Sequence, residues 1–403
     1  MCGLVAVTCP AGTGIDLRGP LAAIRHRGPD DEGIYASPER DCHLGHVRLS
    51  IVELSAAGHQ PMADASGRFV MVYNGEIYNT EELRAYVETR SGRRIEWRGT
   101  SDTEVIVEGF ACEGIDFLDR LNGMYALAIY DLAERVLHVL RDPLGIKPLV
   151  MTCQSGGVYF ASELKGLLAI PGLARTLRLG ALAEQIEFMY VPEPATPFQE
   201  FEKVAPGVCM SFRAGRLVAS RRLCRQLLPV DTYRQEGEAV AALREALIGA
   251  VRRQLVADVP VSLFLSGGLD SSAVAQIALQ GGATLRDAYT VAVTSGDRRY
   301  DEQSDDLRYA RLMAERLGIE LKVVQAQPNL LGMLPELVQF MDDGFSDPAA
   351  ITTYLISAGA RREGVKVLLS GQGADEFLGG YRRYVAERIL SALPASLHGG
   401  LAG

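Results

Sequence analysis

The 403-residue chain has no run of about 18 apolar residues, so no membrane-spanning helix is expected. Its start lacks a basic segment followed by a long apolar stretch, which excludes a secretory signal peptide on this reading. The seven cysteines (Cys2, Cys9, Cys42, Cys112, Cys153, Cys209 and Cys224) are odd in number and none forms a C-x-x-C pair. That spacing suits neither a zinc site nor a secreted disulfide framework, and reduced thiols in the cytoplasm are the simplest expectation. Basic residues are also short: 41 Lys and Arg against 50 Asp and Glu give a net charge of −9. A nucleic-acid binder with a broad basic face is thereby disfavoured, although a local phosphate site is not. No internal repeat or low-complexity tract is read, and no membrane or nucleic-acid partner is expected.

What is present is an ordinary globular composition, 48% hydrophobic and 23% charged. On a prior of about 150 residues per domain, two or three domains are expected. Residues 1–162 read as β-rich, with strands at 3–8, 69–74, 124–131, 135–142 and 158–163 and helices at 80–90 and 102–112. The runs around 131–135 read as a hairpin. A boundary is placed near 215–235, after the loop chemistry of PEPATP (192–197) and Pro206-Gly207. Beyond it the pattern becomes strand alternating with helix: strands at 261–266, 288–294, 321–326 and 365–370, helices at 271–280, 301–317, about 330–341 and 349–362. Such alternation predicts a parallel α/β sheet.

SGGLDSS, 266–272, follows one of these short apolar runs and opens a helix. Glycines let a ligand approach the backbone, and a helix start offers unpaired N–H groups to an anion. No Lys follows the glycines, so this is not a Walker loop. The plainer alternative is a glycine turn capped by serines. The strand–loop–helix string resembles the pyrophosphate loop of ATP pyrophosphatases, which cleave ATP to AMP and pyrophosphate while adenylating a substrate. A second loop, SGQGADEFLGGY (370–381), also follows an apolar run, and ligands collect at the carboxyl ends of parallel strands. Asp375 and Glu376 could offer Mg²⁺ oxygen ligands there, or simply cap the next helix.

The opening MCGLVAVT leaves two readings of Cys2: a small residue opening a buried strand, or, with Met1 removed, a terminal nucleophile whose own α-amino group is its base. Polar clusters at 25–33 (RHRGPDDEG), 45–62, 73–79 (YNGEIYN) and 100–106 (TSDTEVI) are each explicable as turns. Asn74-Gly75 is a hairpin signal, and Ser101 with Asp102 is a helix cap.

Together with MCG, these clusters resemble the class II glutamine amidotransferase domain, an N-terminal-nucleophile hydrolase. From residue 2 to about 385, with the motifs in the same order, the chain resembles the glutamine-hydrolysing asparagine synthetase family. The resemblance implies an α+β sandwich (αββα) over 1–215, followed over 236–403 by an α/β parallel-sheet ATP-pyrophosphatase domain. It also implies roles. Cys2 attacks the glutamine side-chain amide, and Asn74 with the N–H of Gly75 forms the oxyanion hole. Arg48 holds the glutamine α-carboxylate, Glu76 and Asp102 hold its α-amino group, and Leu49, Ser50, Ile51 and Val52 line the pocket. Arg27 either supports that site or forms a structural ion pair. Leu265 and Val291 flank the nucleotide, Ser370 and Gly371 contact it, and Ser266, Gly267, Gly268, Asp270, Ser271 and Ser272 hold pyrophosphate. Gln372 and Asp375 belong to the acyl-adenylate site, with Asp270 and Asp375 as Mg²⁺ ligands.

The implied substrates are L-glutamine, ATP and a carboxylate acceptor, aspartate or another acid; a homodimer is left open. The cycle releases ammonia, passes it through a dry channel to an acyl-AMP, and yields an amide, AMP and pyrophosphate. Two departures from the family pattern stand out. Gln372 replaces a Glu, which removes a charge and a titratable proton. The chain also stops at Gly403, where the family continues, so the second domain is expected to lack helices, acceptor-site residues and a basic residue near the pyrophosphate. These departures leave two further readings: a glutaminase with a crippled synthetase half, or a non-catalytic nucleotide-binding module.

Overall fold

Strand β1 (Gly3–Thr8) is buried at all six positions, which requires apolar cover on both faces. The computed structural model describes residues 1–92, 94–223, 233, 235–292, 306–325, 330–344 and 346–392. It supplies that cover in layers. In chain order the strands continue as β2 (Asp31–Ala36), β3 (Cys42–Arg48), β4 (Met62–Ala63), β5 (Phe69–Ile77), β6 (Gly123–Asp131), β7 (Val136–Arg141), β8 (Val150–Gln154), β9 (Gly157–Ala161), β10 (Phe201–Lys203), β11 (Val208–Arg213) and β12 (Arg216–Arg222). They form two six-stranded sheets, in the orders β10-β8-β9-β1-β3-β2 and β12-β11-β7-β6-β5-β4. Every neighbouring pair is antiparallel.

Side-chain parity assigns the layers. Leu4 and Ala6 of β1, Leu44 of β3, Val72 of β5 and Ala126 and Ala128 of β6 share the core between the sheets. Their odd-numbered neighbours Val5 and Val7 pack outward with Leu21 and Leu167, from the helices Arg18–Ala23 and Leu164–Leu168. On the other side, Met71, Tyr73, Leu127 and Ile129 pack with Leu83, Val87, Ile106 and Phe110 of the helices Thr80–Ser91 and Asp102–Glu113. The result is helix–sheet–sheet–helix, the expected αββα sandwich. Where double-sided cover leaves a continuous apolar run, as in β1, β5 and β6, the strand was visible in the sequence; β3, buried at all seven positions but carrying His43, Gly45 and His46, was not.

The later strands β13 (Val261–Phe264), β14 (Leu285–Ala292), β15 (Leu321–Gln325) and β16 (Val367–Leu369) make a wholly parallel sheet in the order β15-β14-β13-β16. Leu263 and Leu265 pack with Ala275, Ala310 and Ala314 of the helices Leu269–Gln280 and Asp306–Leu317. Tyr289 packs with Ile356 and Ala360 of the helix Ala349–Arg362. The expected parallel α/β sheet is therefore present. Residues 293, 294, 301–305 and 326 of the expected elements, and part of the expected boundary near 215–235, lie outside the described residues.

Packing divides the chain into two units that are not contiguous in sequence. The first is Met1–Glu245 with Val256–Val259 and Asn329–Ile351; the second is Ala246–Leu255, Pro260–Pro328 and Thr352–Gly403. One local reading is corrected. Asn74-Gly75 is not a hairpin turn, because both residues continue β5, opposite Ala126 and Tyr125 of β6. The clusters at 25–33 and 45–62, read as polar punctuation, contain the start of β2 and the end of β3.

Candidate active site

The parity that builds the inter-sheet core also gathers polar groups at one end of it. Even-numbered residues of β3 and β5 face the opposite sheet, so His46, Arg48, Asn74 and Glu76 continue the rows begun by Leu44 and Val72. The β1–β3 register, Gly3 opposite Val47, runs on to set Cys2 against Arg48. His46 ties the sheets together there: its Nε2 donates to the carbonyl of Tyr73 at 3.0 Å. Burial pushes the imidazole down to about 3, so it is neutral, and its Nδ1 is buried without a partner.

The Cys2 thiol lies beside the loop that leaves β3. Its Sγ accepts from the N–H of Leu49 at 3.4 Å and is 3.7 Å from the Leu49 carbonyl. The Asp30 carboxylate accepts from the N–H of Ser50 at 2.8 Å. Arg48 holds the loop from inside, donating to the carbonyls of Ser55 at 3.0 Å, Val52 at 3.4 Å and Glu53. Cys2, Arg48 and residues 49–52 are thus brought together. Burial pushes the Cys2 thiol up, and the same burial pushes the terminal α-amino group of Met1 down to about 5. That amine belongs to Met1, and the pair shows what burial at the chain's start does to an amine and a thiol: it favours the neutral form of each. Arg27 donates from Nε to the Cys2 carbonyl at 2.8 Å and pairs with Glu163 at 2.6 Å.

Asn74 is fully buried, and neither Nδ2 nor Oδ1 has a hydrogen-bond partner. Gly75 follows it where a Cβ would stand 2.5 Å from the Met124 carbonyl, so only glycine fits. Farther along the chain, Ser101 takes the cap of the helix Asp102–Glu113 by accepting from the N–H of Thr103. This frees Asp102 to turn inward, where its Oδ2 accepts from the Tyr73 hydroxyl at 2.8 Å and the N–H of Ile77 at 3.1 Å. Glu76 is pushed up to about 8, first by burial and then by the charge of Asp102, against an opposing pull from Lys147. Burial also raises Asp102. Two carboxyl groups therefore share a buried place with too little positive charge beside them.

In the second unit, β13 and β16 are adjacent where the strand order reverses, the usual ligand position of open parallel sheets. The loops after both strands meet: a Cβ on Gly371 would come within 2.8 Å of Asp270 Cβ and the Ser271 N–H nitrogen. Ser266 Oγ accepts from the N–H of Gly268 at 3.2 Å and lies 3.0 Å from Ser271 Oγ. Gly267 has φ +81° and packs where a Cβ would stand 2.4 Å from the Ala310 nitrogen. Ser272 Oγ is buried and unpartnered at the start of the following helix. Leu265 is buried, Val291 and Ser370 are half-buried, and Gln372 is exposed. Burial raises Asp270, with the charges of Asp375 and Glu376 adding to it. Glu376 itself accepts from the Tyr381 hydroxyl at 2.7 Å. Among the described residues no three His, Cys, Asp or Glu side chains converge as a ready metal site. The donor chemistry of Asp270 and Asp375 nevertheless fits Mg²⁺, which commonly takes one or two carboxylates and completes its shell with water and ligand oxygens.

Residues 1–222 match the family model described as glutamine amidotransferase domain, and residues 242–401 match that of asparagine synthase. The chain belongs to the asparagine synthase family. Glutamine-hydrolysing asparagine synthetase 1 of Bacillus subtilis (strain 168) is 35% identical over 90% of this chain and 55% of its own length. A protein named amidase chry2, of Gibberella zeae, is 30% identical over 93% of this chain and 56% of its own. The chain thus spans little more than half the length of these two curated relatives. Among solved structures, a glutamine phosphoribosylpyrophosphate amidotransferase of Bacillus subtilis covers 91% of this chain and 71% of that one, at 17% identity and a TM-score of 0.41.

Three residues of this asparagine synthase family member were not singled out by sequence reading. Lys147 is buried, its ammonium lowered to about 8 by that burial, with Glu76 and Cys2 pulling the other way. The lone cation inside GIKPLV was the available signal. Tyr73 orients Asp102 but reads as one more aromatic of a strand. Asp258 accepts from the N–H of Glu53 at 2.7 Å, and its own N–H donates to the carbonyl of Ile51 at 2.9 Å. It therefore buttresses the loop beside Cys2 from some 200 residues away, and no local pattern announces it.

The charge imbalance at Glu76 has a measurable sign. With its folded value near 8, native Glu76 keeps a proton that the unfolded chain has lost, so stability falls as pH rises from about 4.5 to about 8. Glu76→Gln is expected to raise stability at pH 8 by at least about 1 kcal/mol and to change it little at pH 4. Urea unfolding at the two pH values checks this; equal stability of parent and variant at pH 8 would contradict it.

Proposed function

We propose that the chain is a glutamine-dependent amidotransferase that hydrolyses glutamine at Cys2 and passes the ammonia to a carboxylate activated as an acyl-adenylate. The observation that carries this reading is Asn74. A buried carboxamide with neither end bonded typically costs about 1–3 kcal/mol per group, a defect that folding alone would remove. On the β5 row that also carries the under-neutralised Glu76, with Asp102 buried beside it, this carboxamide suits the oxygen of a tetrahedral intermediate.

After removal of Met1, the amino group of Cys2 takes the thiol proton and the thiolate attacks the amide carbon of glutamine. The developing oxyanion accepts from Asn74 Nδ2 and the Gly75 N–H. The proton returns to the leaving ammonia, and water then releases glutamate from the thioester. Glu76 and Asp102 hold the substrate ammonium, and Arg48 faces its carboxylate. Leu49 to Val52 form the wall.

In the second unit Ser266 to Ser272 embrace pyrophosphate, Ser370 and Gly371 meet the nucleotide, and Leu265 and Val291 flank it. Asp270 and Asp375 would hold Mg²⁺, which neutralises phosphate charge. The acceptor is the open point. Gln372 stands where the family places Glu, which favours an acid other than aspartate, and two relatives bear amidase rather than asparagine synthetase names.

Intact mass is expected to show Met1 absent, and Cys2→Ala is expected to abolish glutamate release while sparing ATP binding; retained Met1 on active protein would sink the terminal-base mechanism. Asn74→Ala should lower glutaminase turnover by about 10²–10³, and full activity in that variant would reduce Asn74 to a strand residue. With glutamine, ATP and aspartate, the parent should form little asparagine and a Gln372→Glu variant should form more. Efficient asparagine synthesis by the parent would assign aspartate as the acceptor after all.

A further inference from the structure

Residues 329–351 lie inside the stretch matched as asparagine synthase, yet they pack with the first unit. The attachment is specific. The helix Leu330–Met341 ends at Asp342, which has φ +59°, a conformation that Asp and Asn tolerate better than most residues. Asp342 Oδ2 accepts from the N–H of Lys165 at 2.8 Å, and its Oδ1 lies 3.6 Å from the Lys165 ammonium. Neighbouring contacts seat the segment: Asp343 pairs with Lys203 at 2.7 Å, and the N–H of Ser346 donates to the Met189 carbonyl at 2.7 Å.

From Asp342 a chain of buried charges leads to the nucleophile. The Lys165 ammonium bonds Glu163 at 2.5 Å, Glu163 bonds Arg27 at 2.6 Å, and Arg27 Nε donates to the Cys2 carbonyl at 2.8 Å. His26 closes on Glu163 at 3.0 Å. The side chains of Arg27, Glu163, Asp342 and Lys165 are only 7%, 9%, 12% and 15% exposed. Solvent therefore cannot readily replace a lost partner, and a change at one end must be absorbed by the next pair.

We propose that Asp342, acting through Lys165, Glu163 and Arg27, is a positioning residue for Cys2, so that the glutaminase centre is completed by sequence from the asparagine synthase half. This rests on the reading of Cys2 as the nucleophile. Lys165 is shared between two carboxylates. Without the charge of Asp342 it turns wholly to Glu163, and Glu163 is drawn from Arg27. Arg27 then no longer fixes the Cys2 carbonyl, on which the direction of both the thiol and the α-amino group depends. Attack geometry is sensitive at this scale, since a displacement of about 1 Å costs on the order of 10²-fold in rate. The groups assigned to hold glutamine, Arg48, Glu76 and Asp102, are not members of the chain, so kcat should move and KM should not.

The test uses the whole chain. Asp342→Asn keeps the side-chain shape and the left-handed backbone, and Lys165→Met removes the shared cation. Each is expected to lower kcat for glutamate release at least 5-fold with KM for glutamine within 2-fold, and the double variant should be no slower than the slower single one, the mark of residues acting as a unit. Unchanged kcat in folded Asp342→Asn would overturn the proposal, as would a rise in KM of the same size as the loss in kcat/KM. If Asp342→Asn melts early, folded Lys165→Met alone decides by the same two criteria. Cys2→Ala separates the two claims. Hydrolysis that survives in Cys2→Ala overturns the nucleophile reading, whereas a dead Cys2→Ala with a fully active Asp342→Asn overturns only the positioning chain.

Discussion

A buried amide that bonds to nothing is the constraint around which the first unit is arranged. Asn74 belongs to a strand paired residue by residue with β6, so its unbonded carboxamide is not a failure of local folding. The surrounding bonds fix the backbone beside it. His46 crosses from one sheet to the Tyr73 carbonyl, Gln60 accepts from the Tyr73 N–H at 2.6 Å, and the Tyr73 hydroxyl donates to Asp102. Three polar partners on the residue before Asn74 leave the backbone no freedom to turn the carboxamide toward a bond. The unmet bonds of Asn74 and the under-neutralised carboxylates are then deficits of one kind. Each is a place where a bound polar ligand restores what burial removed.

The carboxylates at Glu76 and Asp102 show how burial and charge act together. Neither would be raised by exposure to water, and neither is raised by a neighbour alone. Burial contributes most, and their mutual repulsion adds to it at Glu76. A ligand ammonium between them would offset both the burial and the repulsion. The thiol and amine at the chain's start follow the same rule with opposite results, since burial favours the neutral form of each. The Met1 amine is thereby held without its extra proton and the Cys2 thiol with its own.

Much of this arrangement is legible in the sequence because double-sided burial leaves a simple trace. GLVAVT, FVMVYN and MYALAIYD are continuous apolar runs, and the structure makes each a strand between two layers. Edge and half-exposed strands leave no such trace, and neither does β3, buried throughout, because His43, Gly45 and His46 interrupt its run. DEGIYA, exposed or half-exposed at every position, and RLVASRR, exposed throughout, were not read as strands. Asn74-Gly75 misleads for a different reason. Its hairpin propensity is real, but pairing with β6 on one side overrides it, and the glycine is required by the Met124 carbonyl rather than by a turn. Ser101 and Asp102 divide the labour that sequence assigned to both, because only one side chain is needed at the cap.

What no local pattern can report is a group supplied from far along the chain. Asp258 and Asp342 each sit in otherwise unremarked polar positions, and their meaning lies wholly in the N–H groups of Glu53 and Lys165 that they accept from. Both lie beyond residue 222, where the amidotransferase match ends, and both belong to the first packed unit. The boundary seen in sequence is therefore a change of periodicity, while the boundary seen in packing follows the contacts. Where the two disagree, packing governs the chemistry. A carboxylate that braces the loop beside Cys2 acts on that loop whatever its number in the chain, and a sandwich cut at the change of periodicity would lose both acids while keeping every residue of its own motif.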